Sequence, residues 1–146
     1  MPQLLTALRE HLITEGLVRK PSVAGALPPL WLEPQLGVPA PGEGNNPTEV
    51  GSDLVIGAYL TGGFAPPPYG SFLRKPIIDL RFRGRNPVTI ENTELAISKA
   101  LIDRRDWMMN TMYVVECEQW RPLQRLGSDE QGFEFVTAYW YELLRP

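Results

Sequence analysis

The residues that could perform chemistry in this chain are few and widely separated in the sequence. Two adjacent carboxylates, Asp129 and Glu130, lie in the glycine-flanked segment 126–132. Paired carboxylates serve as general acids and bases, but an exposed turn lacks the desolvation that raises the pKa of a general acid. The single histidine, His11, and the single cysteine, Cys117, fall in different predicted elements. We therefore predict no catalytic residues and expect that the protein is not an enzyme.

Cofactor and metal sites are also not expected. One cysteine cannot form a C-x-x-C motif, and one histidine among scattered acids matches no common metal-ligand spacing. The glycine-containing segments 42–44 and 62–63 form neither a dinucleotide-binding fingerprint nor a P-loop. We predict that His11 lies on the solvent side of a helix and that Cys117 is a buried residue of a strand.

The clearest charge pattern is a row of arginines, Arg81, Arg83 and Arg85, which alternates with the apolar residues of segment 78–82. This period of two predicts a strand with one face in the core. Two residues of strand advance about 7 Å, so the guanidinium groups form a cationic row along the other face. Two interpretations remain open: a solvated face, or a charged seam against carboxylates of a neighbouring subunit.

The last quarter of the chain predicts a β-hairpin. Runs of β-branched and aromatic residues at 112–118 and 133–144 flank the segment 126–132, which is typical of a turn. Its glycines favour a turn that exposes Asp129 and Glu130, and we expect this acidic tip to face a partner. Because the final strand is apolar on both sides, we also infer that another subunit covers one of its faces.

The remaining elements predict an α+β fold with a mixed, mainly antiparallel β-sheet of about five strands and two α-helices packed on it. Apolar spacing predicts a first helix from Gln3 to Gly16 and short strands at 30–33 and 53–61. A second helix opens at Asn86-Pro87 and extends to about Arg105. Its predicted apolar face contains Ile90, Leu95, Ile97, Leu101 and Ile102, and its dipole favours Arg104 and Arg105 in the last turn.

Length and composition predict one domain spanning residues 1–146. The hydrophobic fraction of 43% and the charged fraction of 21% are typical of globular proteins. Fifteen prolines and thirteen glycines indicate long loops, about 37–51 and 62–76. The second loop is predicted to carry the aromatic residues Phe64, Tyr69 and Phe72, either as an arm packed on the domain or as a surface that another subunit orders.

Charge and hydropathy limit the partners. A net charge of −3 gives no electrostatic basis for nucleic-acid binding by the whole surface, and sequence-specific nucleic-acid binding is not expected. No apolar run approaches the roughly 20 residues that a membrane span requires. The start of the chain lacks a basic region followed by an apolar one, so we expect the protein to be made and kept in the cytosol or in a structure assembled there.

The order of elements, helix, strand, long loop, two strands, helix and two strands, resembles that of tail terminator proteins of long-tailed bacteriophages, a group of tail-completion and minor capsid proteins. Two segments carry the resemblance besides the order and length of the chain. They are Asp103-Arg104-Arg105-Asp106-Trp107, which closes the second helix, and Leu126-Gly127-Ser128-Asp129-Glu130-Gln131-Gly132, which precedes an aromatic last strand.

The resemblance implies a structural virion protein of the tail or neck, assembled in the host cytoplasm. Such a protein would form a hexameric ring, cap the tail tube, stop its polymerisation and present a head–tail joining surface to the head-completion or connector protein, with DNA passing through the ring. We hypothesise that the subunit or partner interface includes Arg81, Arg83, Arg85, Asp129, Glu130, Phe64, Tyr69 and Phe72. The alternatives are a head-closure or neck protein of the connector, and a small-ligand-binding α+β domain.

Overall fold

The fold is an α+β arrangement in which two helices pack on a mixed, mainly antiparallel sheet, as the sequence predicts, and the described sheet has six strands where about five were expected. The computed structural model describes residues 2–23, 25–35, 37–38, 54–64, 73–102, 104–129 and 132–144. Side chains are described for these residues except 2, 62–64, 73–74, 129, 132–138 and 140–144. The helices are α1 (Pro2–Thr14) and α2 (Pro87–Ile102). The strands are β1 (Leu30–Leu32), β2 (Leu54–Phe64), β3 (Leu73–Gly84), β4 (Trp107–Met109), β5 (Met112–Asp129) and β6 (Gly132–Leu144).

The strand order is β1-β2-β3-β6-β5-β4, and only the β1–β2 pair is parallel within this described sheet. Helix α1 contacts β1 and β2 near one edge and also β4 at the other edge. The sheet therefore curves around the helices. One cluster of buried side chains joins both helices to all six strands.

Helix α1 ends as the sequence predicts. Its side chains Leu4, Leu8 and Leu12 are fully buried. Gly16 adopts a φ of +73°, and the amides of Gly16 and Leu17 donate to the carbonyls of Ile13 and Leu12 at 3.0 Å each. This pattern is a Schellman motif, in which a left-handed residue lets two amides satisfy the last carbonyls of the helix.

Helix α2 also begins at its predicted cap. The Asn86 side-chain oxygen accepts a hydrogen bond of 3.0 Å from the amide of Val88, and Pro87 occupies the first helical position. Asparagine satisfies an amide that has no partner inside the helix, and proline loses nothing at a position whose amide is unpaired. The sequence therefore determined this end of the helix locally. On the predicted apolar face, however, Leu95 and Ile102 are 53% and 38% exposed, so placing them with the buried residues of α2 was wrong.

The period-two prediction for β3 is confirmed. Ile78, Leu80 and Phe82 are 1%, 0% and 0% exposed on the face toward the helices. Strand β2 lies between β1 and β3, and Val55, Ile56 and Ala58 are all 0% exposed. Apolar side chains on both faces are typical of a strand inside a sheet.

The predicted loop at 62–76 is wrong at both ends. Backbone pairing between β2 and β3 continues past a register shift after Leu60, so that Gly63 lies opposite Pro76 and Phe64 opposite Lys75. The proline is tolerated because the β3–β6 register has no pair between Arg74 and Ile77. Residues 65–72, and most of the other predicted loop at 37–51, lie outside the described residues.

The predicted turn at 126–132 is also too long. Strand β5 extends to Asp129, which pairs with Gly132, and its ladder with β6 contains four register shifts. A bulge adds a residue on one strand without ending the pairing. The ladder therefore passes through Pro122 and Gly127, residues that by their own propensity favour a break.

The segment after α2 forms a strand, which the sequence did not predict. Trp107–Met109 pairs with Met112–Val114 of β5 across a tight turn in which Asn110 has a φ of +55°. Met109 and Met112 are buried in the core, whereas Met108 is 56% exposed. Asparagine tolerates this left-handed backbone better than most residues.

His11 is buried, and the prediction that it faces solvent is wrong. It is 7% exposed, and its Nε2 donates to the carbonyl oxygen of Ala100 at 3.2 Å. Its ring centroid lies 4.6 Å from that of Trp107. His11 therefore joins α1 to the last turn of α2 and to β4. The Ala100 carbonyl lies near the end of α2, where carbonyls lack donors within the helix.

Arg104 and Arg105 lie beyond the end of α2. The prediction that the helix dipole favours them in its last turn is therefore wrong. Arg104 pairs with Glu15 at 3.3 Å and lies 5.2 Å from the Trp107 ring centroid. Arg105 pairs with Glu116 at 2.8 Å. This hydrogen bond and the negative charge of Glu116 raise the pKa of Arg105. Both guanidinium groups thus connect segments that are distant in sequence.

Candidate assembly surfaces

Arg81 and Arg83 of the predicted row make contacts inside the subunit. Arg81 and Arg83 are half-buried on the face of β3 opposite Phe82. An Nη1 of Arg83 donates to the carbonyl oxygen of Val38 at 3.0 Å, and the Arg81 guanidinium lies 5.3 Å from the Tyr59 ring centroid. Arg85, beyond the end of the strand, is exposed.

These arginines lie beneath a segment that we call the strap, residues 33–35 and 37–38. Glu33 has a φ of +46°, and its amide and carboxylate both bond to β2: the amide donates to Ala58 at 2.9 Å, and the carboxylate accepts from Leu60 at 3.3 Å. The Tyr59 hydroxyl donates to the carbonyl of Pro34 at 3.2 Å. The strap is therefore fixed to the sheet by backbone and side-chain hydrogen bonds.

Gly57 allows the strap to approach the sheet closely. A Cβ atom at this position would lie 2.7 Å from the Cγ2 atom of Val38, which is itself only 6% exposed. The sheet face that carries Arg81 and Arg83 is thus covered at this point by the subunit's own chain. Because the strap covers this face, Arg81 and Arg83 are not part of a fully solvated row.

Asp129 and the basic end of β3 lie at the same end of the sheet. Gly84 pairs with Phe133 of β6, which in turn pairs with Ser128 of β5, one residue before Asp129. Adjacent strands are about 4.8 Å apart, so the ends of β3 and β5 are separated by roughly 10 Å. The structure therefore brings the Arg85 end of β3 and the Asp129 backbone together within one chain.

Of the aromatic residues in the predicted interface, only the backbone of Phe64 is described, and it lies at the other end of the sheet. The Phe64 backbone pairs with Lys75, nine residues along β3 from Gly84, which is a distance of about 30 Å in a strand. Glu130, Tyr69 and Phe72 lie outside the described residues. Among the described residues, Phe64 thus lies at one end of the sheet and Arg85 and Asp129 lie at the other, and the role of the whole set in an interface stays a prediction.

The outer part of β5 is an exposed surface that the sequence did not indicate. On its side away from β6, β5 pairs with β4 over Met112–Val114, and the described strands provide no neighbour beyond this point. Residues 118–122 and 124–128 are exposed. Trp120 is 45% exposed and Leu126 is 51% exposed. We call residues 118–128 the β5 edge.

Features of the β5 edge also limit indiscriminate pairing. Pro122 lacks an amide hydrogen, and Arg121 and Arg125 place charge along the strand. Natural edge strands use proline, charge and bulges to avoid unwanted extension of the sheet. At the start of the edge, a hydrogen bond with Glu116 raises the pKa of the Glu118 carboxyl group. The edge is thus suited to a selective partner rather than to general aggregation.

A network at Glu94 holds the start of this edge to α2. One Glu94 carboxylate oxygen accepts from Gln119 of β5 at 2.9 Å and from the Tyr139 hydroxyl of β6 at 3.2 Å. Tyr139 is fully buried, and this burial, with the negative charge of Glu94, raises the pKa of its hydroxyl. The hairpin therefore leaves the helix-covered core at a defined point.

Arg19 is a buried cation that sequence reasoning missed. It is 6% exposed, and its guanidinium donates to the carbonyls of Leu27 at 2.8 Å and Val23 at 2.6 Å. Its backbone forms an isolated parallel bridge with Pro29. Arg19 thus closes the loop that leads into β1, and its donors serve the fold rather than a ligand.

Within the described part of the chain, no three His, Cys, Asp or Glu residues form a group suited to a metal ion. In the same part, none of the helices has the length and apolar character needed to cross a membrane. No protein-family model matches the chain, and no curated protein matches it at a significant level.

Proposed function

We propose that this chain is a structural assembly protein of a bacteriophage virion, a ring-forming tail terminator. In this role it caps the tail tube, stops tube polymerisation and provides the surface to which the head connector joins. The order of elements, to which the structure adds β4 after α2, supports the proposal, and the observation that carries it is the β5 edge, which exposes Trp120 and Leu126 on a strand of 18 residues. A strand of this length is unusual, because strands in globular proteins are usually about three to ten residues long.

A cyclic ring requires a heterologous contact, in which one patch of a subunit meets a different patch of its neighbour. The β5 edge supplies an extended patch with apolar side chains at its centre and charged residues around them, which is the usual composition of a specific interface. The acidic tip at Asp129 and Glu130 continues this surface along the sequence. Arg85 is the exposed member of the arginine row and is the cation best placed for a partner.

The decisive experiment adds the purified protein to growing tail tubes of the phage that encodes it. A terminator stops elongation and gives tubes of fixed length that bear a ring at one end, visible by electron microscopy. A head-closure protein leaves elongation unchanged and binds the connector instead. Unchanged elongation therefore contradicts the terminator role, and binding to the connector would establish the alternative.

The β5 edge is tested with the double variant Trp120→Ala and Leu126→Ser. We expect loss of ring formation and of tube capping with little change in thermal stability, because both side chains are exposed. The matched control is Leu27→Ser, since Leu27 is 42% exposed in the loop before β1. Normal capping by the double variant would exclude this edge as the ring contact.

The charge contact is tested with Arg85→Glu rather than with Arg81 or Arg83, whose substitution would also release the strap. If Arg85 meets the acidic tip of a neighbouring subunit, ring formation weakens and its dependence on salt decreases. If the ring and its salt dependence are unchanged, the attraction acts within one subunit or is absent.

A further inference from the structure

A row of three residues crosses the sheet beneath the strap. Trp31 of β1 pairs with Gly57 of β2, which pairs with Arg81 of β3. Paired residues of neighbouring strands point to the same face of a sheet, so Trp31 and Arg81 flank a position that has no side chain. The strap fills this position, because Pro34 Cγ and Val38 Cγ2 lie 3.5 Å and 2.7 Å from where a Cβ atom of Gly57 would be. We call the space between Trp31 and Arg81 the Gly57 groove.

The Gly57 groove contains two buried donors that lack an acceptor. Trp31 Nε1 and Arg81 Nε are both buried, and neither has a hydrogen-bond partner within the described part of the chain. The Arg81 guanidinium lies over the Tyr59 ring, and none of the ion pairs between described residues includes it. A buried donor without an acceptor costs free energy, and a guanidinium group can donate five hydrogen bonds. The strap therefore leaves the donors of the groove incompletely used.

The strap contacts the groove through groups that every polypeptide carries. The Pro34 carbonyl accepts from the Tyr59 hydroxyl, and the Val38 carbonyl accepts from Arg83. In this closed conformation Glu33 has a φ of +46°, which is unfavourable for a residue other than glycine. Another polypeptide segment can form the same carbonyl contacts without this strain, so the strap is a replaceable occupant.

We propose that the Gly57 groove is a binding site for a partner's polypeptide segment that carries a carboxylate, and that the strap covers the site until this segment displaces it. A carboxylate in place of the Val38 carbonyl accepts from Arg83. Because Val38 also lies over the register partner of Arg81, the second oxygen is directed toward Arg81. Hydrogen bonds to a carboxylate from a guanidinium group are roughly twice as strong as those between neutral groups.

The shape and charge of the site favour a polypeptide over a nucleic acid. The space over Gly57 holds an apolar side chain, and the net charge of the chain is −3. The site goes beyond the proposed ring, whose contact uses the β5 edge and Arg85. It shares no residue with that contact.

A pair of peptides tests the preference for a carboxylate. The probe is an acetylated peptide with the sequence of residues 33–38, which ends in a free carboxylate at the position of Val38, and its matched control ends in a carboxamide. In NMR titrations, we expect the carboxylate peptide to bind about tenfold more tightly, because only its end supplies an anion to Arg81 and Arg83. Equal affinity for the two peptides overturns the proposal. A duplex DNA oligonucleotide that binds the groove more tightly than the carboxylate peptide also overturns it.

Weakening the strap tests whether it competes with the peptide. Gly37 has a φ of +85°, and a Cβ atom there would have no neighbour within 4 Å, so Gly37→Val strains the closed backbone without filling the groove. We expect this variant to bind the carboxylate peptide at least about fivefold more tightly than the natural chain does, because intramolecular competition decreases. Absence of binding, or an unchanged affinity, overturns the proposal. Circular dichroism verifies that the variant is folded.

A reversible covalent lock tests the same point in the opposite direction. In the double variant Val38→Cys and Gly57→Cys, the two Cβ atoms are close enough for a disulfide, which requires a separation of roughly 3.5–4.5 Å. The natural thiol, Cys117, is 2% exposed and does not compete. We expect the oxidised protein to lose peptide binding and the reduced protein to regain it. Equal binding by the two forms overturns the proposal.

The contribution of Arg81 is tested with Arg81→Gln. We expect the tenfold preference for the carboxylate peptide to fall to about twofold, since one of the two guanidinium donors is lost. The matched control is Lys99→Gln, which removes the same charge from an exposed position of α2 and is expected to retain the preference. A full preference in the Arg81→Gln protein overturns the assignment of Arg81.

These measurements are separable from the tail-terminator role. If the peptide binds as expected while the natural chain leaves tubes growing, the groove stands and the terminator role fails. If neither the natural chain nor the Gly37→Val protein binds the peptide, yet the natural chain caps tubes, the groove proposal fails and the terminator role stands.

Discussion

Strands β3 and β5 are both long and amphipathic, yet they differ in how far they are covered. In β3, Ile78, Leu80 and Phe82 lie beneath the helices, and the strap crosses the opposite face near Arg83. In β5, Val114 and Cys117 are buried, whereas Trp120 and Leu126 are exposed farther along. Alternation of apolar residues therefore selects a face of the sheet, but neighbouring elements decide whether that face is buried.

This difference has a consequence for function. The covered part of the sheet has the hydrogen bonds and apolar contacts of a stable core, whereas the β5 edge retains surface for another molecule. Cores fix a fold and exposed edges are available for recognition. Variants in the two regions should therefore separate effects on stability from effects on assembly.

The largest change in the free energy of unfolding is expected for a substitution at the centre of β3. Phe82→Ala removes a fully buried ring from the cluster that joins the helices to the sheet. We expect the free energy of unfolding to decrease by about 3–5 kcal/mol, measured by urea denaturation. A decrease smaller than that of an exposed substitution would show that this face of β3 is not central to the core.

A smaller effect is expected where the strap crosses β2. Gly57→Ala introduces a Cβ atom 2.7 Å from the Val38 Cγ2 atom, and we expect a loss of about 1–3 kcal/mol. The variant Val38→Ala removes that methyl group, so the double variant should be less destabilised than the sum of the two single changes. Strict additivity in chemical denaturation would contradict the close contact.

The boundary between the covered and exposed regions is tested at Tyr139. Because burial raises the pKa of its hydroxyl, stability is fully present below the unfolded pKa near 10 and falls as the pH rises above it. The expected slope is about 1.4 kcal/mol per pH unit for this group. Tyr139→Phe should lose about 1–2 kcal/mol at neutral pH and show a shallower alkaline decline.

Equal alkaline slopes for the Tyr139→Phe variant and the natural chain would show that another group controls the decline. Denaturation curves at several pH values between about 8 and 11 measure both slopes. The Tyr113→Phe variant is the comparison, since Tyr113 donates to Asp106 at 3.0 Å in an exposed contact. Desolvation and this hydrogen bond also raise the pKa of Tyr113, so we expect its removal to change the alkaline slope less than that of the buried Tyr139.

The smallest effect on stability is expected on the β5 edge. Trp120→Ala should change the free energy of unfolding by less than about 0.5 kcal/mol, because the side chain is 45% exposed. Thermal denaturation of the monomer measures this change. A large loss would assign Trp120 to the core and remove the contrast with β3.

Much of the fold was predictable from local patterns. The Asn86-Pro87 start of α2 and the Gly16 stop of α1 depend on hydrogen bonds within a few residues, so they can be identified without the tertiary structure. The alternation in β3 was clear because Ile78, Leu80 and Phe82 face the helices, whereas the residues between them are charged and lie on the other face. Strand extension into segments rich in glycine and proline was missed, since the sheet ladder there overrides local propensity.

The candidate surfaces were less predictable. Arginine spacing identified a shared face but not the strap that covers it, because the strap depends on Glu33 and Gly37 adopting positive φ angles. Trp120 and Leu126 had no signal that distinguishes an exposed edge from a buried strand. Leu95 and Ile102 fit the helical period of the core, yet α2 has sheet on one side only.

By itself, the sequence determined the two helices, the end of α1, the start of α2, the face of β3 and the α+β class, because these depend on short-range hydrogen bonds and on apolar periodicity. Tertiary structure decided that His11 joins the helices, that Arg83 supports the strap, and that β5 continues beyond the helix-covered core. Those features depend on contacts between residues far apart in the chain, and no local pattern specifies which distant elements meet.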